Sequence, residues 1–396
     1  MKENLKICLV MQGNRNWIGG IEYTKNMILA LTTLPQQVQS TIELSLLSNR
    51  SIDMHLYEQI LPHVKNIFFM EKLPTPSIPS RIHRIIDRAL SGNNDYRYHS
   101  FFENQRFDFV YPFQFHRKLS SSYRSAAWIP DFQHKHLPHF FSDEEIRKRD
   151  HQFQQIACYA PAIILSSKMA ETDFRTSFPQ FSEKTMVLPF RIYPDPSWYS
   201  PDPQDFQRKY SLPDKFFIMC NQFWQHKNHI TVFKALHLLR KQSIDPVVVC
   251  TGNLEDHRDK TYMAHLQKTI DDSGIRSQIH ILGLIPRLEQ IQLIRRSIAV
   301  IQPSLFEGWS TVIEDARCLG KHVLASDISV HKEQDPPHCI FFQPEFAEEL
   351  AVHIKEWWTN LSPGPAPENE NRARQSAMDS VRAYGYNILD LARGPT

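Results

Sequence analysis

Two glutamates and one lysine carry the chemistry most readily read from this chain. Glu307 stands in the run IQPSLFEGWSTVIEDARCLGKHVLASDISVHKEQ (301–334). There a strand-like apolar stretch ends at Ser304, a loop holds Glu307-Gly308-Trp309, and helical periodicity runs from about Thr311 to Gly320. Glu314 falls in that helix. An ionised carboxylate only accepts hydrogen bonds, so two of them in one ligand site suit the vicinal diols of a sugar or a ribose. Glu314 also has a local use, because Thr311-x-x-Glu314 reads as a capping box. Glu307 has no such use. The backbone N–H groups of Ser310, Thr311 and the residues after them would meet a phosphate at the helix start.

Lys227 lies in CNQFWQHKNHITVFKALHLL (220–239). The strand-like stretch ends at Asn221, and Ile230, Phe233, Leu236 and Leu239 recur at helical spacing, which puts Lys227 on the loop or in the first turn. A cation there opposes the helix dipole unless an anion is bound. A diphosphate clamp and a solvated surface lysine are the two readings, and the lack of a nearby acidic residue in the sequence favours the clamp.

A third segment, NWIGGIEYTKNMILAL (16–31), puts Gly19-Gly20 where the first strand turns into a helix with Tyr23, Met27, Ala30, Leu31 and Leu34 on its apolar face. Glycines there admit a ligand close to the backbone, or simply make a tight turn. The pattern is not G-x-G-x-x-G and no acidic residue ends the second strand, so dinucleotide binding is poorly supported. A fourth, AAWIPDFQHKHLPHFFSDEE (126–145), gathers Asp131, His134, His136 and His139 after a strand and before a Ser142-x-x-Glu145 capping box. That density suggests a metal, yet no HExxH or comparable helical spacing is present, and no metal is expected.

These residues need elements to hold them. Apolar runs read as strands at 6–11, 42–48, 66–70, 107–113, 126–130, 162–167 and 185–190, and again at 216–221, 246–252, 279–284, 298–304, 322–327 and 339–344. Continuous apolar strands separated by helices are the signature of parallel sheets buried on both faces. The fold class is therefore α/β, with two Rossmann-like doubly wound parallel-sheet domains facing a central cleft, into which the strand carboxyl ends would point. Five prolines between Pro194 and Pro213 mark a linker. The division is an N-terminal acceptor-side domain (1–192), the linker (193–213), a C-terminal donor domain (214–360), and a low-complexity loop with a final helix (361–396).

Composition narrows the rest. With 396 residues, 41% hydrophobic and 22% charged, the chain is ordinary globular protein. Lys and Arg number 45 against 43 Asp and Glu, so net charge of +2 argues against nucleic acid as a partner. Six scattered cysteines, Cys8, Cys158, Cys220, Cys250, Cys318 and Cys339, form no metal or redox spacing and read as mostly buried hydrophobes in a reducing compartment. With neither a signal-peptide pattern nor a membrane-length apolar run, a cytoplasmic location is expected. Arg81, Arg84 and Arg88 share one side of a short helix opposite Ile82, Ile85, Ile86 and Leu90. Such a helix (81–90) is either an ordinary packed surface helix or a peripheral contact with an anionic membrane face.

The 301–334 segment resembles the donor-binding motif of the retaining glycosyltransferases of family 4, which have the GT-B fold. The Gly19-Gly20-x-Glu22 turn and the Lys227 loop match that family in the same order. The resemblance implies a transferase that moves a sugar from a nucleoside-diphosphate-sugar to a hydroxyl acceptor, a surface polysaccharide or lipid-linked glycan, with retention and no cofactor. It implies that Glu307 contacts the donor sugar's hydroxyls, Glu314 the ribose, and Lys227 the diphosphate. Asn221, Gln222, Gly308, Trp309, Ser310 and Thr311 would line the donor site. Gly19 and Gly20 would sit near the phosphate, His134 would face the donor sugar, and Asp131 and Glu22 would face sugar or acceptor. Two departures stand out. Glu307 and Glu314 enclose six residues where the family usually has seven. Gln222 occupies the place of the family's usual arginine, with Lys332 as a candidate replacement cation. The alternative is a non-catalytic nucleotide-sugar-binding or scaffold subunit with a decayed donor site. Epimerisation, phosphorolysis and dehydrogenation lack the residue sets they would require.

Overall fold

Strand formation follows the apolar runs closely. The computed structural model describes residues 4–14, 17–49, 53–73, 95–114, 120–256 and 258–394. Each run expected as a strand becomes one, its ends moved by at most three residues, and a short strand at Arg124–Ser125 joins them. In chain order they are β1 (Leu5–Val10), β2 (Ile42–Ser48), β3 (Asn66–Phe69), β4 (Phe109–Tyr111), β5 (Arg124–Ser125), β6 (Ala127–Ile129), β7 (Ile163–Leu165) and β8 (Thr185–Val187). The second series is β9 (Phe217–Cys220), β10 (Val248–Thr251), β11 (Ile279–Gly283), β12 (Ala299–Gln302), β13 (His322–Ser326) and β14 (Cys339–Phe342). Their pairings are parallel. The basic helix expected over 81–90 lies outside the described residues.

The chain divides into two units. The first comprises Met1–Phe132, Asp143–Arg191 and Asp379–Thr396; the second comprises Gln133–Ser142 and Ile192–Met378. The first carries two sheets, β3-β2-β1-β4-β5 and β6-β7-β8. Aromatic packing of Phe101, Phe102, Phe107 and Tyr123 covers one of them. The other buries Phe132, Phe153, Ile156 and Phe174. The second unit has one six-stranded sheet, β11-β10-β9-β12-β13-β14, which is the 3-2-1-4-5-6 order of doubly wound nucleotide-binding sheets. Phe217, Met219, Val248, Cys250, Ile301 and Leu324 fill its core. The order reverses between β9 and β12, and ligands of such sheets bind beyond the strand carboxyl ends at that switch point.

The proline-rich segment 193–213 belongs to the second unit rather than standing free. Asp202 caps the helix Pro203–Lys209, with its side chain accepting from the Gln204 N–H at 2.9 Å. Buried Arg295 donates to the Trp198 and Pro201 carbonyls and forms a two-pronged pair with Glu370 at 2.6 and 2.9 Å. The carboxylate and the carbonyls together satisfy a guanidinium that would otherwise be costly to bury. Of the cysteines, Cys8, Cys220, Cys250 and Cys318 are buried and free, as expected; Cys158 is exposed near the end of the helix Asp143–Tyr159. Among the described residues no helix is long and apolar enough to cross a membrane.

Candidate donor-binding site

Lys227 and Glu307 meet at the switch point of the second sheet. Lys227 ends a short turn (Gln225–Lys227), and Asn228 follows in the left-handed region at φ 57°, before the helix His229–Arg240. Asn228 is suited to that conformation because its short amide bonds locally. Here it donates to the Pro303 and Pro344 carbonyls at 3.0 and 2.7 Å, and Thr231 donates to it at 2.9 Å. The Lys227 loop is thereby pinned to the loop after β12. The Leu305 N–H closes a second tie, to the His226 carbonyl, at 2.8 Å.

Glu307 is buried and one of its oxygens is fully used. Oε1 accepts from Lys227 Nζ at 2.6 Å, Ser304 Oγ at 2.7 Å and Gln302 Nε2 at 2.9 Å. Oε2 carries no hydrogen bond among the described residues. Gln302 is in turn gripped by Asn221, whose Nδ2 donates to Gln302 Oε1 at 3.0 Å. Burial works to raise the carboxyl's pKa, but the Lys227 charge and the Lys227 and Ser304 hydrogen bonds outweigh it, and the net shift is downward. Glu307 is therefore held as an anion, with Oε1 bonded and Oε2 left over. Gln302 and Ser304, which hold it, were not singled out from the sequence. Both lie within the 301–334 segment, at the end of β12 and just beyond it, which was the signal available.

Glu314 sits differently from the capping-box expectation. The helix is Thr311–Leu319 with Ser310 as its N-cap, whose Oγ accepts from the Ile313 N–H at 3.4 Å. Ile313 therefore holds the position a capping-box glutamate would need, and Glu314 is one residue beyond it. Glu314 is buried, accepts from Gln334 Nε2 at 3.2 Å and lies 3.6 Å from Arg317 Nε. Gln334 also bonds both ends of Ser310, donating to its carbonyl and accepting from its N–H at 3.0 Å each. Two of the N–H groups expected to meet phosphate, those of Ser310 and Ile313, are thus engaged within the protein. Trp309 is buried, and Gly320 ends the helix at φ 61°.

The remaining predicted residues divide between the units. Gly19 and Gly20 form the first turn of the helix Ile18–Thr32 in the first unit. A Cβ on Gly20 would lie 2.8 Å from the Gly13 backbone and 3.0 Å from the Trp17 ring, so this glycine is required by the turn itself. Gly19 is not so confined; its nearest contact would be Trp17 at 3.5 Å. Glu22 is buried on the same helix, accepting from Lys25 at 3.3 Å and Asn26 at 3.2 Å. Asp131 is half-buried before the short helix Gln133–His136, in which His134 is buried while His136 and His139 are exposed or nearly so. The His136 ring lies 5.2 Å from that of Phe306, next to Glu307. Among the described residues no group of three His, Cys, Asp or Glu is arranged to hold a metal ion.

Gln222, standing where an arginine was looked for, is half-buried, with its Oε1 buried and unpartnered. Lys332 does not serve as an uncommitted replacement. It is largely exposed and paired with Asp327 at 2.5 Å.

Residues 202–377 match the model of the glycosyl transferases group 1. That is nearly the whole second unit, including Lys227, Glu307 and Glu314. A comparison with curated proteins finds no match. Solved structures align along the full chain. The structure of Anabaena Alr3699/HepE in complex with UDP and glucose is 15% identical, with a TM-score of 0.67 over 99% of this chain and 100% of that one. A glycosyltransferase from Rickettsia africae ESF-5 gives 13% identity and a TM-score of 0.65 over 98% of each chain. WaaG, a glycosyltransferase involved in lipopolysaccharide biosynthesis, gives 13% identity and 0.62 over 98% of this chain and 100% of its own. The chain has the GT-B fold.

Proposed function

We propose that this chain is a retaining, family-4-type glycosyltransferase that moves a sugar from a nucleoside-diphosphate-sugar, a UDP-sugar first among them, to a hydroxyl acceptor. The observation that carries this reading is the Lys227–Glu307 pair at the β9/β12 switch point, inside the segment that matches the group 1 transferases. Lys227 would exchange its carboxylate partner for the donor diphosphate and stabilise the charge that grows as the glycosidic bond breaks. Glu307, with Oε1 saturated, would accept a sugar hydroxyl on Oε2, and Glu314 would accept from the ribose. In a same-face mechanism the leaving diphosphate takes the acceptor's proton, so no protein base is needed. His134 would hydrogen-bond the sugar or acceptor. UDP is favoured because HepE was solved with UDP and with UDP-glucose. A surface polysaccharide or lipid-linked acceptor, handled in the cytoplasm, is the reading closest to WaaG's role in lipopolysaccharide biosynthesis.

The test is a thermal-shift panel of UDP, GDP, ADP and CMP with their common sugar conjugates, beside Glu314→Ala. A ligand at a hundredfold its Kd stabilises by about 2.7 kcal/mol, which is readily seen. A shift with one nucleotide, reduced in the variant, supports the donor site; no shift with any overturns it. Gln222, neutral where a cation was looked for, favours one alternative, a subunit that binds nucleotide-sugar without transferring it. Donor hydrolysis in the absence of acceptor separates the two, since only a catalytic site releases UDP.

A further inference from the structure

Behind Glu307 lies a histidine that the sequence reading passed over. His331, in the helix Ser329–Gln334, is fully buried. Its Nδ1 is 2.9 Å from the Ser326 carbonyl oxygen and 3.1 Å from Ser326 Oγ. The carbonyl can only accept, and the Ser326 hydroxyl proton is already given to the Ser304 carbonyl at 2.5 Å. Nδ1 must therefore carry the ring proton. On a neutral imidazole that leaves Nε2 as a bare acceptor. Burial, ahead of the opposing pull of Glu307, lowers the ring's pKa to about 4, so it is neutral at pH 7. Nε2 is buried and has no hydrogen-bond partner among the described residues.

An unpaired buried acceptor costs free energy unless something donates to it when the protein works. Ser304 bonds Glu307 Oε1 at 2.7 Å and Ser326 at 2.5 Å, so the two side chains hang on one short chain of contacts. Among the described residues, Glu307 Oε2 and His331 Nε2 are thus two unpartnered acceptors at the two ends of that chain of contacts, and a hydroxyl has one proton to give. One hydroxyl cannot satisfy both; two hydroxyls of one sugar ring can. Resting on the donor-site reading above, we propose that His331 is a specificity-determining residue whose Nε2 accepts a hydrogen bond from a second hydroxyl of the donor sugar, beside the one taken by Glu307.

The experiment measures Kd for UDP and for UDP-glucose in the native chain, His331→Phe and His331→Gln. UDP, which lacks the sugar, serves as the check that each variant is folded and its nucleotide site intact. In His331→Phe the added affinity that glucose confers over UDP is expected to fall about tenfold, the worth of one such bond. His331→Gln, whose amide oxygen can reach a similar position, restores part of it. The 3-deoxy and 4-deoxy analogues of UDP-glucose complete a cycle, with one of them losing affinity in the native chain and nothing further in His331→Phe. An unchanged glucose increment in His331→Phe, with UDP still bound, overturns this proposal alone, as does the lack of any glucose increment in the native chain. Failure of UDP to bind the native chain overturns the donor-site reading and this proposal with it.

Discussion

Glu307→Gln removes a charge while keeping a shape, and its expected effects have opposite signs with and without ligand. In the free protein the carboxylate sits 2.6 Å from Lys227, with side chains only 9% and 15% exposed. Breaking a buried pair outright costs about 3–5 kcal/mol, and a hydrogen bond to a charged group is worth about 1.5–3 kcal/mol. The glutamine still accepts from Ser304 and Gln302, so about 2 kcal/mol is the expected loss. For a unit of this size that lowers Tm by about 4–8 °C. UDP reverses the comparison. If its diphosphate binds Lys227 as proposed, in the native chain it must displace Glu307 and tolerate the carboxylate nearby; in the variant neither cost remains. UDP should therefore bind Glu307→Gln about five- to thirtyfold more tightly, from about 1–2 kcal/mol of relieved competition. The additional affinity of UDP-glucose over UDP should fall, because Glu307 Oε2 would become an amide nitrogen or a weaker acceptor. Differential scanning fluorimetry gives the first quantity and isothermal titration calorimetry the other two. An unchanged Tm, or UDP binding that weakens, would refute the idea that Glu307 and the diphosphate compete for Lys227.

Two further outcomes follow from the packing. Gly20→Ala should destabilise by about 1–3 kcal/mol in urea denaturation, since its Cβ would meet the Gly13 backbone at 2.8 Å, whereas Gly19→Ala should be neutral or slightly stabilising. Equal effects would show that the turn yields. His229 and His331 are buried, with pKa values lowered to about 3 and about 4, chiefly by burial. Below about pH 6.5 the unfolded chain takes up protons that the folded chain refuses, so stability falls with pH, by up to about 2 kcal/mol per histidine from pH 7 to pH 5. Denaturation at the two pH values should show this loss, and a smaller one in His331→Phe; equal losses would mean that His331 is already protonated or exposed when folded.

Much of this was visible in the chain itself, and for a definable reason. Parallel strands buried on both faces must be continuously apolar, so runs such as IHILGL and HVLASD mark strands without ambiguity. Lys227 and Glu307 stood out because a charged residue just beyond such a run lies at the strand's carboxyl end, where these sheets bind ligands. Gly320, placed at the end of its helix, follows equally local rules. The capping-box reading of Glu314 failed by one residue. Ser310 and Thr311 are both good caps, and local preference cannot choose between neighbours of similar propensity.

What the sequence could not state is which groups close on one another across long separations. Glu307 draws its three donors from Lys227, Ser304 and Gln302, and the first of these is 80 positions away. Gln334 reaches back 20 positions to Glu314. Neither amide has a compositional signature, since a glutamine at a helix end is usually solvated. His331 reads in sequence as one polar residue of VHKEQ, and only burial beside Ser326 decides its tautomer and leaves Nε2 without a donor. Gly20 likewise looked like a place for a ligand, and the folded turn assigns the space to Gly13 and Trp17. Periodicity and strand-end position are properties of a few consecutive residues, so the chain alone determined the elements and marked Lys227 and Glu307 singly, not as a pair. Hydrogen-bond partners and unfilled valences depend on atoms that only the tertiary fold brings within about 3 Å.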